Sequence, residues 1–159
     1  LPLLERIKMM RRLIVDHTGD EDEASMLAII AASQKAGDMA ALLDGSDVYE
    51  VRQQLNGPER DRFDAILRQT RYFAVTSVGN AAYFIRRCAQ EATDGPQRKW
   101  ILEILLTRAG QWPIFELIGE GKIAPGVARV KEELEDNQWQ AVWASWQMAK
   151  RPDVSRSAP

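Results

Sequence analysis

Apolar residues recur along this chain at the three- and four-residue spacing of one helical face, and glycine and proline punctuate the stretches that carry them. Leu3, Ile7, Met10 and Ile14 predict a first helix from about Leu3 to Asp16, with Pro2 at its entry. His17, Thr18 and Gly19 break it. Asp20, Glu21, Asp22 and Glu23 suit the positive end of a helix dipole and open a second helix. Its wide apolar face holds Met26, Leu27, Ile29 and Ile30, and Gly37 ends it. Asp38 is placed to cap a short helix through Leu43 that stops at Gly45, and Ser46 or Asp47 to cap another through Leu55. After Asn56 and Gly57, Pro58 opens a helix with Phe63, Ile66 and Leu67 on one face, ending near Tyr72. Residues 73–79 are ambiguous, because Val75, Thr76 and Val78 are β-branched.

The second half predicts helices over Asn80 to Ala92, Pro96 to Ala109, Pro113 to Ile118, Pro125 to Asp136 and Asn137 to Lys150. Residues 151–159 hold Pro, Ser and Arg without an apolar pattern, which predicts a disordered tail. No strand pair is predicted, and the fold class is all-α.

The halves superpose on one another. At a displacement of 75, Met10 meets Ile85, Arg11 meets Arg86, Thr18 meets Thr93, Met26 meets Ile101 and Ile30 meets Leu105. After a four-residue insertion at Gly121, Lys122, Ile123 and Ala124 the displacement becomes 79, placing Leu55 on Leu134, Phe63 on Val142 and Leu67 on Trp146. The predicted organisation is a first helical repeat over 1–72, a linker or helix continuation over 73–79, a second repeat over 80–150 and the tail over 151–159. Repeats of this kind bury against each other faces that neither could bury alone.

The order of five helices resembles the annexin repeat. Glu5 to Ile30 is similar to that family's first helix, acidic loop and second helix, and Val51 to Leu67 to its closing helix pair. The resemblance implies two tandem five-helix annexin-like repeats packed into one globular unit, where annexins carry more. Similar units occur in accessory segments of bacterial secreted effectors and toxins. The resemblance also implies calcium-assisted phospholipid binding through loop-glycine carbonyls and a later acidic side chain. Asp20, Glu59 and Asp61 are the calcium candidates it points to, with Glu135 and Asp136 at comparable places in the second half. Neither first loop keeps paired glycines, which disfavours the close carbonyl approach that calcium needs.

Composition narrows the function classes. The 159 residues hold 21 Lys and Arg against 23 Asp and Glu, a net charge of −2, so no basic excess exists to neutralise phosphates, and nucleic acid is not an expected partner. Apolar runs such as Met26 to Ala32 are far below the roughly 20 residues of a membrane span. No secretory signal is visible, a soluble protein is expected, and the start at Leu1 rather than Met is compatible with an excised piece of a longer protein. The single cysteine, Cys88, excludes an internal disulfide and a multi-thiolate metal site, and reads as a small core residue.

No P-loop, dinucleotide fingerprint, zinc spacing or nucleophile elbow is present, and no catalytic residue, metal or cofactor is assigned. His17, beside Asp16, Asp20 and Glu21, reads as an exposed loop residue, with a general base as the sharper alternative. The acidic run reads as a helix start. Arg11 sits beside Leu4, Ile7 and Val15, and Arg86 beside Ala82 and Ile85. Such guanidinium groups serve either as structural ties to a carboxylate or helix-end carbonyls, or as an anion site. All five tryptophans lie in the second half, and Trp139, Trp143 and Trp146 share one helical face. They either pack the second core or anchor a partner. The leading expectation is a non-catalytic protein-interaction module. The alternatives are calcium-assisted membrane binding and a toxin or enzyme with an unrecognised site.

Overall fold

The helical spacing is realised along the chain. The computed structural model describes residues 1–16, 19–119 and 123–150, and among them every regular element is a helix. His17, Thr18, the insertion residues Gly121 and Lys122, and the tail expected to be disordered all lie outside the described residues. The chain divides into two units, Leu1–Tyr72 and Phe73–Pro159.

The first unit comprises α1 (Leu3–Val15), α2 (Asp20–Ala36), α3 (Met39–Gly45), α4 (Val48–Gln54) and α5 (Gly57–Gln69). Helix α1 packs against α2, α3 and α4, and α4 packs against α5. Met10, Met26, Leu42, Leu55, Phe63 and Leu67 are buried at its centre. Gly37 ends α2 in the left-handed conformation at φ 76°, and the N–H groups of Gly37 and Asp38 both reach the Ser33 carbonyl. Glycine adopts that geometry without a Cβ clash. The acidic run occupies the first turn of α2, where it faces the helix dipole.

Helix α5 stops at Gln69, short of the expected Tyr72. The Thr70 hydroxyl donates to the Ile66 and Leu67 carbonyls, and Arg71 turns to φ 50°. A new short helix, α6 (Tyr72–Val75), follows. The ambiguous stretch resolves there: the Ser77 hydroxyl accepts from the Asn80 N–H and caps the next helix, which begins at Val78.

The second unit continues with α7 (Val78–Gln90), α8 (Gly95–Arg108), α9 (Trp112–Ile118), α10 (Pro125–Glu133) and α11 (Asp136–Lys150). Helix α7 packs against α8, α9 and α10, and α11 packs against α8 and α9. Phe73, Phe84 and Trp100 form a ring cluster, with centroids 4.5 Å and 5.3 Å from Phe73. Cys88 is buried on α7. Asp94 and Gln97 form a capping box on α8. At Gly126 a Cβ would lie 3.1 Å from the Ala89 Cα, so the bare backbone of glycine lets α10 close on α7.

The charged ties of the first unit fall at unexpected places. Arg6, 5% exposed, forms a two-pronged bond to the Asp38 carboxylate at 2.7 Å on each arm, and also donates to the Ser33 hydroxyl and the Leu1 carbonyl. Asp38 therefore does not cap α3 with its side chain, because its carboxylate is engaged by Arg6. In the second unit Arg108 ties the entry to the first helix, donating to the Phe73 and Thr76 carbonyls.

Hydrogen bonding from Arg6 holds the Asp38 carboxyl below the usual carboxylate range, against the opposing effect of burial and with help from Ser33. A carboxyl whose pKa is lowered by folding stabilises the fold above its unfolded pKa, about 4, and loses that contribution as pH falls toward the folded value. Wild type should therefore melt above Asp38→Asn at neutral pH, and the gap should narrow as pH drops below about 4. Thermal melts of both proteins between neutral and acid pH check this. A gap independent of pH would contradict it.

Candidate functional site

The corner between α10 and α11 builds the site. Leu134 ends α10 with its N–H on the Lys131 carbonyl at 3.2 Å. The Gln138 amide oxygen accepts from the Glu135 N–H at 3.0 Å and starts α11. Trp139, Trp143 and Trp146 then follow at helical spacing and point the same way. Their burial is graded. Trp146 is buried, 4% exposed, while Trp143 and Trp139 are half-buried. The ring centroids of Trp143 and Trp146 are 4.4 Å apart, and Trp139 stacks 6.2 Å from Trp143. The trio thus divides: its inner member packs the core and its outer two border solvent.

Those outer rings line an open cleft of about 430 Å³ with Ile123, Lys131 and Gln140. Lys131 is exposed, and its ammonium lies 5.1 Å from the Trp139 ring centre, within cation–π range. The cleft thus offers indole faces, one amide and one positive charge. Among the described residues its lining includes no carboxylate. That set of groups suits binding and orienting a ligand.

The corresponding corner of the first unit shares this backbone. The Leu55 N–H meets the Arg52 carbonyl at 3.3 Å, as that of Leu134 meets Lys131. Glu59 and Arg60 donate their N–H groups to the Asn56 carbonyl, as Gln138 and Trp139 donate theirs to Glu135. Every pair is displaced by 79. The side chains differ completely. Arg52, 1% exposed, is clamped by Asp64, 4% exposed, through bonds of 2.6 Å and 3.0 Å. Arg60 covers the end of α4 by donating to the carbonyls of Arg52, Gln53 and Leu55. At the same displacement Arg52, Asp64 and Arg60 become Lys131, Trp143 and Trp139.

The sequence reading missed the Arg52–Asp64 pair. Its signal was present: Arg52 lies between Val51 and Leu55, and Asp64 between Phe63 and Leu67, so both charges interrupt apolar stripes. Arg11 and Arg86, the arginines singled out instead, are exposed. The buried side of α1 carries Arg6 and Met10, which rotates position 11 away from the core. Arg11 nevertheless donates from Nε to the Gly45 carbonyl at 2.7 Å, and Gly45 is the last residue of α3. That is a tie to a helix end. Arg86 makes no comparable bond among the described residues.

The calcium candidates lie on two helices, Asp20 on α2 and Glu59 and Asp61 on α5. Asp20 and Asp61 are exposed, whereas Glu59 lines a hollow with Leu27, Ala31 and Gln34 from the middle and later turns of α2. Asp20 opens that helix. Glu23 is the acid that reaches the α4–α5 turn, accepting from the Asn56 N–H at 3.3 Å. Among the described residues no cluster of three or more acidic, histidine or cysteine side chains is placed to hold a metal. His17 lies outside the described residues, so its proposed alternatives are not placed. No described helix is long and apolar enough to cross a membrane. Compared with known proteins, the chain matches no family model, no curated protein and no solved structure.

Proposed function

We propose that this chain is a non-catalytic helical protein-interaction module whose docking surface is the cleft at Trp139 and Trp143. The observation that carries the reading is the half-burial of two stacked indoles beside a cation in an open cleft. Tryptophan is enriched at binding hot spots because one rigid ring buries a large area at little conformational cost. Trp146 packs against Trp143, which in turn stacks with Trp139, and this support preorganises the surface.

The finer architecture in this proposal is a pair of annexin-like five-helix repeats, of the kind found in accessory segments of bacterial secreted effectors and toxins. Three features support duplication. Apart from the short α6, each unit runs through five helices in the order long, long, short, short, long. The corner hydrogen bonds recur at a displacement of 79. A guanidinium ties the backbone entering each first helix, at Leu1 and at Thr76, although one comes from Arg6 and the other from Arg108. Leu1 and Thr76 are 75 apart, as are Ser33 and Arg108, so the same tie is donated from opposite helices.

A pull-down from native lysate tests the interaction reading, comparing wild type with the Trp139→Ala, Trp143→Ala double variant. Both should give the same helical circular dichroism. A defined protein captured by wild type and lost from the folded variant is the expected result. Equal capture by both proteins would move the surface elsewhere. Calcium-dependent pelleting with acidic liposomes, in the absence of any protein capture, would replace this reading with a membrane one.

A further inference from the structure

Resting on the cleft at Trp139 and Trp143 being the docking surface, we propose that its occupant is an acidic protein segment, presenting a carboxylate to Lys131 beside an apolar side chain packed on the indoles. The argument comes from comparing the two corners within this chain. In the first unit the cation at this position, Arg52, is satisfied internally by the Asp64 carboxylate on the following helix. In the second unit the cation is kept as Lys131, but Trp143 stands where the carboxylate would be. Lys131 pairs with no carboxylate among the described residues, and its ammonium rests over the Trp139 ring.

The third member of the corner changes in the same direction. Arg60 fills the first corner with a guanidinium that donates to the Arg52, Gln53 and Leu55 carbonyls. Its counterpart Trp139 supplies a flat apolar wall, and the space holds a cleft of about 430 Å³. One corner is therefore closed by its own acid. The other has a cation with no carboxylate partner among the described residues, two half-buried indoles and room for a side chain. A carboxylate from outside completes the second corner as Asp64 completes the first, and an adjoining apolar group takes up the remaining wall.

Glu132, Glu133, Glu135 and Asp136 are also exposed at this corner, so the choice of occupant rests on the cleft wall itself, where Lys131 is the one charged lining residue among those described. A basic segment would meet Lys131 with like charge, and the ring face it could use is already occupied by that ammonium. A purely apolar segment would leave Lys131 desolvated and unpaired. An acidic segment with a neighbouring apolar side chain satisfies both. Lys131 is exposed in the free protein, so the partner brings the counter-charge without first breaking an internal pair.

The test is to pan a displayed library of random dodecapeptides on the intact chain, then titrate a recovered, fluorescently labelled peptide onto wild type and variants. The recovered peptides should carry Asp or Glu next to an aromatic or aliphatic residue. Binding should weaken about tenfold in Lys131→Glu, recover in Lys131→Arg, and fall as salt is raised. Trp139→Ala should lose it as well. Neutral or basic peptides that still need Trp139 would overturn the acidic assignment and leave the docking surface standing. Acidic peptides that bind Lys131→Glu as well as wild type would do the same. A library yielding no peptide dependent on Trp139 would remove both the assignment and the surface.

Discussion

Replacing Asp64 by alanine is expected to destabilise the protein by about 3–5 kcal/mol, because it leaves the Arg52 guanidinium buried without its counter-charge. Arg52 is 1% exposed, among the most buried large side chains of the chain. Both arms of its bond to Asp64 are lost together. Against a typical domain stability of about 5–15 kcal/mol, that loss would bring the protein close to unfolding at room temperature. The expectation concerns breaking the pair, not the worth of having one. Burying two charges carries its own desolvation penalty, so Arg52→Met with Asp64→Leu should be far milder than Asp64→Ala alone. Urea unfolding followed by far-ultraviolet circular dichroism measures both. Tryptophan fluorescence is the wrong probe, since all five tryptophans lie in the second unit. A loss below about 1 kcal/mol in Asp64→Ala would mean that water reaches Arg52, and that its pairing is not the main constraint on the α4–α5 corner.

Trp146→Ala is expected to cost about 3–5 kcal/mol as well, by the different route of an unfilled core. Its ring is 4% exposed, packs 4.4 Å from Trp143, and lies against Gly119, where an added Cβ would come within 3.1 Å of the indole nitrogen. Trp139→Ala, on the same helical face, should cost only about 1 kcal/mol, the scale of a partly exposed ring and its cation–π contact. Chemical denaturation of the two variants side by side reads the difference. Equal losses would show that the outer tryptophan is as much a core residue as the inner one, and the docking surface would lose its physical basis.

These contrasts mark what could be read ahead of the structure. The helices were legible because each announces itself locally. Pro58, Pro96, Pro113 and Pro125 stand at first turns, Gly37 at a helix end, and the apolar residues between them keep one face. Where competing local signals balanced, at residues 73–79, the outcome was settled by a single cap at Ser77. The shared face of Trp139, Trp143 and Trp146 was likewise legible, since it follows from spacing alone. Their division into buried and half-buried members was not, because spacing gives direction around a helix axis but not the depth of the neighbouring helix.

Partner choice among charged residues was the least legible property. Arg6, Arg11 and Arg52 all neighbour apolar positions, yet Arg6 and Arg52 are buried and Arg11 is exposed. Arg6 meets an acid 32 residues away and Arg52 one 12 residues away. Such pairs depend on how helices are packed, which residue type and local spacing do not encode.

The sequence by itself determined the all-helical class and most element boundaries, because hydrogen bonds within a helix and the caps at its ends are local interactions. Tertiary structure alone decided which arginines are buried, which acids they hold, and which indoles border solvent. Those outcomes depend on distances between helices, and therefore on packing. The two corners make the point in one molecule: matching backbones displaced by 79 residues become a closed ion pair at Arg52 and Asp64 and an open cleft at Lys131 and Trp143.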